Sequence, residues 1–453
     1  MTLTALLDEL PGGPAVFVGD EVVTRDDLVA QADAVASSLT GIAPGSPVAV
    51  RLPNGPRLIA TLFGVWKAGC VYVPVNPRLT SSEIERVVGA VRPAAFIGQD
   101  GWLSTQTPAV HDDDIALIQF TSGTTGRPKP VLLRHSGVLT LLDGVIGSLR
   151  TKPGERKAPM PNLVPVSLSL WAGIYQVLFA FRVGAPVVLM ETFDTVAFAH
   201  AVRQFGIRST VLPPGAMAML SDDTSIEDLV PLRYVRSISA PLSPLQARRF
   251  RDRFGIAVLN GYGQTELGGE IVGWTAADTK EFGDSKLGAV GRPHEGVSVR
   301  TDEAGELQVQ TPALSAGYAD GAEMSDRLTA DGWFRTGDIG RVDDDGFVWI
   351  DGRVSDMINR GGLKVFPEEV AEVLRLSPSV ADAAVAAAPD DRLGEVPWAF
   401  VVPAGGADDI DAGALDALCR EHLAPYKVPV RIEVVDELPR NEIGKVVLRD
   451  LGA

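Results

Sequence analysis

Positive charge is scarce in this chain. Lys and Arg number 41 against 58 Asp and Glu, giving a net charge of −17 and a pI near 4.8. Sequence-independent nucleic-acid binding needs a basic surface, so no nucleic-acid partner is expected. A site for a polyanion would have to be locally positive against the general field. Cysteine is rarer still, with Cys70 and Cys419 alone. That excludes a disulfide framework or a cysteine metal cluster and points to a reducing cytoplasm. In "LDALCREHL", Leu415, Leu418, Cys419 and Leu423 share one helical face, so Cys419 reads as core. The opening "MTLTALLDELPGG" has two acidic residues and no basic ones, unlike a signal peptide. Residues 163–181 carry no charge and approach bilayer-spanning length. Pro165, Ser167, Ser169, Gly173 and Gln176 interrupt them, so a buried loop and helix are expected, with no membrane span. Internal repeats and low-complexity tracts are absent.

What is present is a large apolar complement, 45% of 453 residues, enough for about three domain-sized units. Up to about residue 290, amphipathic helical patterns alternate with short apolar runs. "RLIATLFGVWKAG" reads as a helix closed by Gly69 and "VYVPV" as the following strand. Such alternation predicts α/β units with largely parallel sheets. From about 291 to 352 the texture becomes strand–turn–strand, as in "VSVRTDEAGELQVQTP" and "GRVDDDGFVWIDGR", which predicts a small antiparallel sheet or barrel. An α+β unit follows, with "PEEVAEVLRL" and "GALDALCREHL" as helices and "VADAAVAAA" and "PWAFVVP" as strands. The expected division is 1–353 and 354–453.

Five segments carry chemistry. "TSGTTGRPK" combines Gly123 and Gly126 with the hydroxyls of Thr121, Ser122, Thr124 and Thr125, and ends on Lys129. Tight glycine turns, hydroxyls and a lysine are what a phosphate group requires. The spacing differs from the Walker A loop, because Pro128 stands five positions after Gly123. An exposed Gly/Ser/Thr loop without a ligand would have the same composition. "GYGQTE" lacks the third glycine of the dinucleotide fingerprint, Glu266 standing in its place. Tyr262 could stack on a base, Thr265 touch a phosphate and Glu266 hold Mg²⁺; a polar turn with a packed tyrosine is the plainer alternative. Asp338, Arg353 and Asp356 could grip a ribose or form hairpin charge pairs. Lys445, close to the C-terminus, would by itself read as solvated surface.

Taken in order, "FTSGTTGRPKP", "GYGQTE", "GWFRTGDIG", "DGRVSDMINRGG" with "PEEV", "PDDRLGE" and "PRNEIGK" resemble the adenylate-forming superfamily of acyl- and aryl-CoA synthetases, peptide-synthetase adenylation domains and luciferases. The resemblance runs from about Val48 to Leu451. It implies a large N-terminal part with two α/β lobes and a small β-barrel, then a mobile α+β C-terminal domain. It also implies a two-step reaction using ATP, Mg²⁺ and coenzyme A: a carboxylate attacks the α-phosphate to give acyl-AMP, and a thiol then displaces AMP. On this resemblance Thr121, Ser122, Gly123, Thr124, Thr125 and Lys129 would cradle the β- and γ-phosphates. Ser239, Ala240, Pro241, Gly261, Tyr262 and Gly263 would border the adenine. Thr265 would reach the α-phosphate, Glu266 would hold Mg²⁺, and Asp338 and Arg353 would bind the ribose. Lys445 would bridge the attacking carboxylate and the α-phosphate. After rotation about a hinge at Ser355, Arg360, Gly361 and Gly362 would line the channel for the pantetheine thiol.

This chain departs from the family's motifs at several positions. Pro130 replaces a usual glycine, Ile238-Ser239 a usual glycine pair, and Ser355 a usual Asp or Lys. The "NRGG" segment resembles CoA-using members, so a carboxylic acid–CoA ligase is expected. The chain ends eight residues after Lys445, so the thiol is expected to arrive in trans. Trp171, Gly173, Tyr175, Leu267 and Gly268 are expected to wall a pocket for an apolar acid: aryl, polycyclic or medium-chain. These stretches hold no Arg or Lys for a second carboxylate. The alternatives are transfer to a carrier-protein thiol or an amine, an enzyme of one half-reaction, and a nucleotide-binding protein without catalysis.

Overall fold

Among the described residues, five sheets organise the protein. Its structure, a computed structural model, describes residues 2–98, 107–121, 128–149, 160–322, 324–440 and 446–451. The first α/β lobe is built on strands in the order Ala95–Gly98, Pro47–Arg51, Val71–Pro74, Ile115–Thr121 and Lys129–Arg134. The first four run parallel and the last is antiparallel. Helix Pro56–Lys67 covers this sheet because its apolar residues are nearly continuous, burying Leu58, Ile59, Leu62, Phe63, Val65 and Trp66. Gly69 follows at φ +72, the left-handed stop that the sequence indicated.

The second lobe has Ser209–Val211, Tyr234–Ser237 and Ala257–Gln264 in parallel, extended by antiparallel Gly269–Gly273 and Arg292–Pro293. A mixed sheet of Glu21–Thr24, Pro14–Val18, Val187–Leu189 and Asn162–Val164 accompanies the two. The uncharged stretch 163–181 therefore begins in a strand, then forms a loop and helix Trp171–Arg182. Three residues of strand are too few for any alternation to register in sequence. Among the described residues no helix is long and apolar enough to cross a membrane.

Strands Ser298–Thr301, Glu306–Gln310, Phe334–Val342 and Val348–Arg353 form the expected antiparallel sheet. Beyond it, Leu363–Val365, Ile358–Arg360, Gly394–Pro403 and Val380–Asp390 make the last sheet, with Arg431–Val434 parallel to Gly394–Pro403. Helices Pro367–Leu374 and Ala412–His422 pack on it around Val370, Leu374, Leu415 and Cys419. Cys419 is fully buried, as its helical face required, and burial pushes its thiol up to about 11.

Candidate active site

The parallel strands of the second lobe deliver the site at their carboxyl ends, the usual position for ligands in open α/β sheets. Tyr234–Ser237 runs out into Ser239, Ala240 and Pro241, of which Ser239 and Pro241 are exposed. Ser239 has φ +78, the left-handed region where a side chain is strained. A backbone needing that conformation explains why the family usually has glycine in this stretch. Next to it, "GYGQ" is the end of strand Ala257–Gln264, and "TE" opens the short 3₁₀ turn Thr265–Leu267. The motif is thus a strand end, in contrast to the polar turn that its composition also allowed.

Successive side chains of a strand point to opposite faces. On one face, Tyr262 Oη donates to Asp338 Oδ2 at 2.6 Å, and Gln264 Nε2 donates to the same oxygen at 2.7 Å. Arg353 Nε meets Asp338 Oδ1 at 2.9 Å, and the two residues are paired in register across their strands. The Asp338 side chain is only 3% exposed against 35% for Arg353. The hairpin charge pair therefore exists, and it is also fastened to the "GYGQTE" strand. Burial, reinforced by Asp338, pushes the Tyr262 phenol well above its ordinary value, so it remains a donor.

A second connection reaches the hydroxyl-rich segment. Thr121 and Lys129 pair at the mouth of hairpin Ile115–Thr121/Lys129–Arg134. Lys129 Nζ lies 5.1 Å from the centroid of the Tyr318 ring. Tyr318 Oη donates to Glu266 Oε1 at 3.3 Å. Burial, then the Glu266 charge, pushes the Tyr318 phenol up to about 12. Ser122, Gly123, Thr124 and Thr125 lie outside the described residues. Pro130 has no N–H to donate, and its carbonyl accepts from Ala319 N at 2.8 Å. Glu266 is buried and offers a hard oxygen ligand. No group of three or more His, Cys, Asp or Glu among the described residues could hold a metal ion. The donor set therefore suits an Mg²⁺ ion that brings phosphate oxygens and water as its other ligands, rather than a protein cage.

The opposite face of strand Ala257–Gln264 carries residues that the sequence reading missed. Glu270 Oε1 receives Arg236 Nη1 and lies 3.1 Å from His294 Nε2. Arg236 Nη2 donates to Trp274 O at 3.0 Å. Burial acts to raise the Glu270 carboxyl, but Arg236 and His294 outweigh it and hold the group below its ordinary value. Of the expected pocket residues, Trp171 Nε1 donates to Gly268 O at 2.9 Å, and its ring meets Tyr175 edge-on with centroids 5.8 Å apart. Leu267 is fully buried in the core beneath. Gly173 faces the preceding loop: a Cβ there would lie 2.2 Å from Ser167 O.

In the last sheet, Arg360 Nη1 donates to Tyr426 O at 2.7 Å and to Val428 O at 3.2 Å. Gly361 and Gly362 are the two central residues of the tight hairpin closed by the Arg360–Leu363 pair, at φ +60 and +90. Positive φ at both positions is the primed-turn geometry that glycine adopts freely. Both glycines are exposed in this pose. Ser355 Oγ donates to Asp356 Oδ1 at 2.8 Å in the turn after Arg353. Lys445 lies outside the described residues.

A family model described as AMP-binding enzyme matches residues 5–108 and 98–319, and one described as AMP-binding enzyme C-terminal domain matches 369–445. The chain belongs to the AMP-binding enzyme family. Among its AMP-binding relatives, a feruloyl-CoA synthase of an Amycolatopsis species is 32% identical, over 96% of this chain and 95% of the relative. The amide bond synthetase McbA from Marinactinospora thermotolerans superposes with a TM-score of 0.86 at 29% identity, over 98% of this chain and 97% of that one. ATP-bound MatB from Rhodopseudomonas palustris gives 0.87 at 26% identity, over 100% and 98%. These likenesses extend along the whole AMP-binding chain, and the mixed α/β fold with a large N-terminal and a smaller C-terminal part, expected from the six motifs, is the one observed.

Proposed function

We propose that this AMP-binding enzyme is an ATP-dependent acid–CoA ligase acting on an acid with an apolar body. The observation that carries the reading is the convergence of distant segments on one strand end. Lys129, Tyr318 and Glu266 join on one side, and Tyr262, Asp338 and Arg353 on the other. The similarity to a feruloyl-CoA synthase supports the thiol acceptor.

In the first step an acid oxygen bonds to the α-phosphorus of ATP, and the bond to the bridging oxygen of pyrophosphate breaks. Two anions must meet, so positioning and fixed positive charge supply most of the acceleration. Lys129, with the hydroxyls and backbone amides of 121–125, grips the departing pyrophosphate. Thr265 reaches the α-phosphate, and Lys445 bridges it to the attacking carboxylate. Asp338 and Arg353 hold the ribose, while Ser239–Pro241 and Gly261–Gly263 flank the base. Glu266 would hold Mg²⁺, which when bound would neutralise phosphate charge. In the second step the CoA sulfur bonds to the acyl carbon, AMP leaves, and the thiol proton goes to solvent.

We place the domain boundary at 353/354, with the barrel part at about 291–352 and Ser355 as hinge. Rotation there would bring Arg360, Gly361 and Gly362 to the pantetheine channel and withdraw Lys445. The two free cysteines, both buried, suit a cytoplasmic location. A second reading passes the acyl group to an amine, which the similarity to an amide bond synthetase supports; a carrier-protein thiol is the third acceptor. The test is product analysis after incubation with acid, ATP and Mg²⁺, adding CoA, an amine or a carrier protein in separate arms. Acyl-CoA in the CoA arm is expected. Acyl-AMP that accumulates beside CoA but is consumed by amine or carrier would replace the thioester reading.

A further inference from the structure

We propose that Tyr318 is a positioning residue: it keeps the Glu266 carboxylate and the Lys129 ammonium from pairing with each other, so that the first stays available to a divalent cation and the second to phosphate. This deepens the acid-activation reading and rests on it. Tyr318 stands in "TPALSAGYAD", outside the six motifs. Its place is set first by backbone. Residues 315–319 run along strand Lys129–Arg134: Ala316 N donates to Leu132 O at 2.9 Å, Leu132 N to Gly317 O at 2.9 Å and Ala319 N to Pro130 O at 2.8 Å. Tyr318 pairs opposite Val131. At the start of the same segment, Ser315 N donates to Glu266 O at 2.8 Å. One short segment is thus bonded both to the strand that opens with Lys129 and to the turn that carries Glu266.

The buried Tyr318 side chain addresses the two charges with different parts. Lys129 Nζ lies 5.1 Å from its ring centroid, where the ring quadrupole attracts a cation. Its hydroxyl donates to Glu266 Oε1 at 3.3 Å. Among the described residues no other side chain hydrogen-bonds Glu266, and no ion pair joins Glu266 to Lys129. A direct pair between them would be strong in a poorly solvated place and would consume both charges. Tyrosine gives each a neutral partner instead. The hydroxyl engages one carboxylate oxygen and orients the other as the hard ligand that Mg²⁺ needs. The ring steadies the ammonium without neutralising it. Phenylalanine can do only the second of these, and leucine neither.

The experiment is calorimetric titration with α,β-methylene-ATP, which cannot lose pyrophosphate, in Mg²⁺ and in EDTA. The proteins are wild type, Tyr318→Phe, Tyr318→Leu, Glu266→Gln and the Glu266→Gln/Tyr318→Phe double variant. The Mg²⁺ advantage is the ratio of Kd in EDTA to Kd in Mg²⁺. It is internal to one protein, so a loss of folded protein alters stoichiometry and leaves the ratio unmoved. Removing a partner that orients a metal ligand costs about 10- to 100-fold in metal affinity. A bond of 3.3 Å is long for O–H···O, so the lower end applies. Tyr318→Phe should therefore cut the advantage roughly tenfold and leave Kd in EDTA unchanged. Tyr318→Leu should also weaken binding in EDTA by roughly threefold or more, through the lost ring face. In the Glu266→Gln background, Tyr318→Phe should change nothing further. A Mg²⁺ advantage that is absent from wild type, intact in Tyr318→Phe, or cut again by that substitution in Glu266→Gln would overturn the inference. Acid-dependent exchange of pyrophosphate into ATP by the same wild-type preparation would then show that acid activation stands. No exchange with any acid would overturn acid activation, and this role for Tyr318 with it.

Discussion

Asp338→Asn is the most informative single change at the nucleotide side. A carboxylate offers about four lone-pair sites. Three are engaged, by Arg353 on Oδ1 and by Tyr262 and Gln264 on Oδ2. Two ribose hydroxyls need two acceptor positions, so one resident donor must yield. Arg353, whose side chain is 35% exposed, can do so. Asn offers one acceptor oxygen and turns an NH₂ group toward Arg353. A hydrogen bond to a charged group contributes about 1.5–3 kcal/mol. Losing one should weaken ATP binding by roughly 10- to 150-fold at 1.4 kcal/mol per decade. The assay is calorimetric titration of wild type and variant with ATP and with 2′-deoxy-ATP; misfolded protein alters the stoichiometry, not Kd. If Asp338 holds the 2′-hydroxyl, 2′-deoxy-ATP should bind wild type more weakly by a comparable factor, and the substitution should add little to that loss. An unchanged Kd for ATP together with a lowered melting temperature would refute the reasoning and leave Asp338–Arg353 as a hairpin charge pair alone.

Three further outcomes are expected. Ser239→Gly relieves a left-handed backbone and should stabilise by up to about 1 kcal/mol, read by urea denaturation; a loss of stability would mean that the serine side chain contributes more than the strain costs. Glu372, on the helix that packs against strand Val348–Arg353, is pushed up to about 7 by burial and then by Glu368, from an ordinary 4.5. The folded state therefore holds its proton more tightly than the unfolded state, and the stability so gained is full below about pH 4.5 and disappears as pH rises to about 7. Glu372→Gln should flatten that decline and leave the variant about 1–2 kcal/mol more stable at pH 8, whereas parallel pH profiles would contradict the assignment. Lys445→Ala should slow acyl-AMP formation by roughly 10²-fold or more while pre-made acyl-AMP is still converted to acyl-CoA; equal losses in both steps would contradict its one-step role.

The sequence made the local features legible and left the long-range ones hidden. Helix Pro56–Lys67 with Gly69 and the hairpins around Asp338 and Arg353 follow from periodicity and turn chemistry over a few residues. The six motifs gave the family because their order is specific. Spacing cannot reveal that Lys129 reaches Glu266 through Tyr318, since these residues come from three separated segments. Arg236, Glu270 and His294 were missed for the same reason: they stand on three separate segments, and only strand pairing brings them together. The one hint was Glu270 itself, a charged residue directly after Gly268-Gly269 in a stretch otherwise fit for a buried strand. Asn162–Val164 escaped notice because three residues cannot show a period.

The central claim is that this site joins a carboxylic acid to the α-phosphate of ATP. Its most direct measurement is exchange of labelled pyrophosphate into ATP with Mg²⁺ present and no thiol, scanned across a panel of aryl, polycyclic and medium-chain acids. Exchange that depends on the acid, and proceeds without CoA, is the expected result. ATP binding without exchange for any acid, or exchange that is indifferent to the acid, would contradict it.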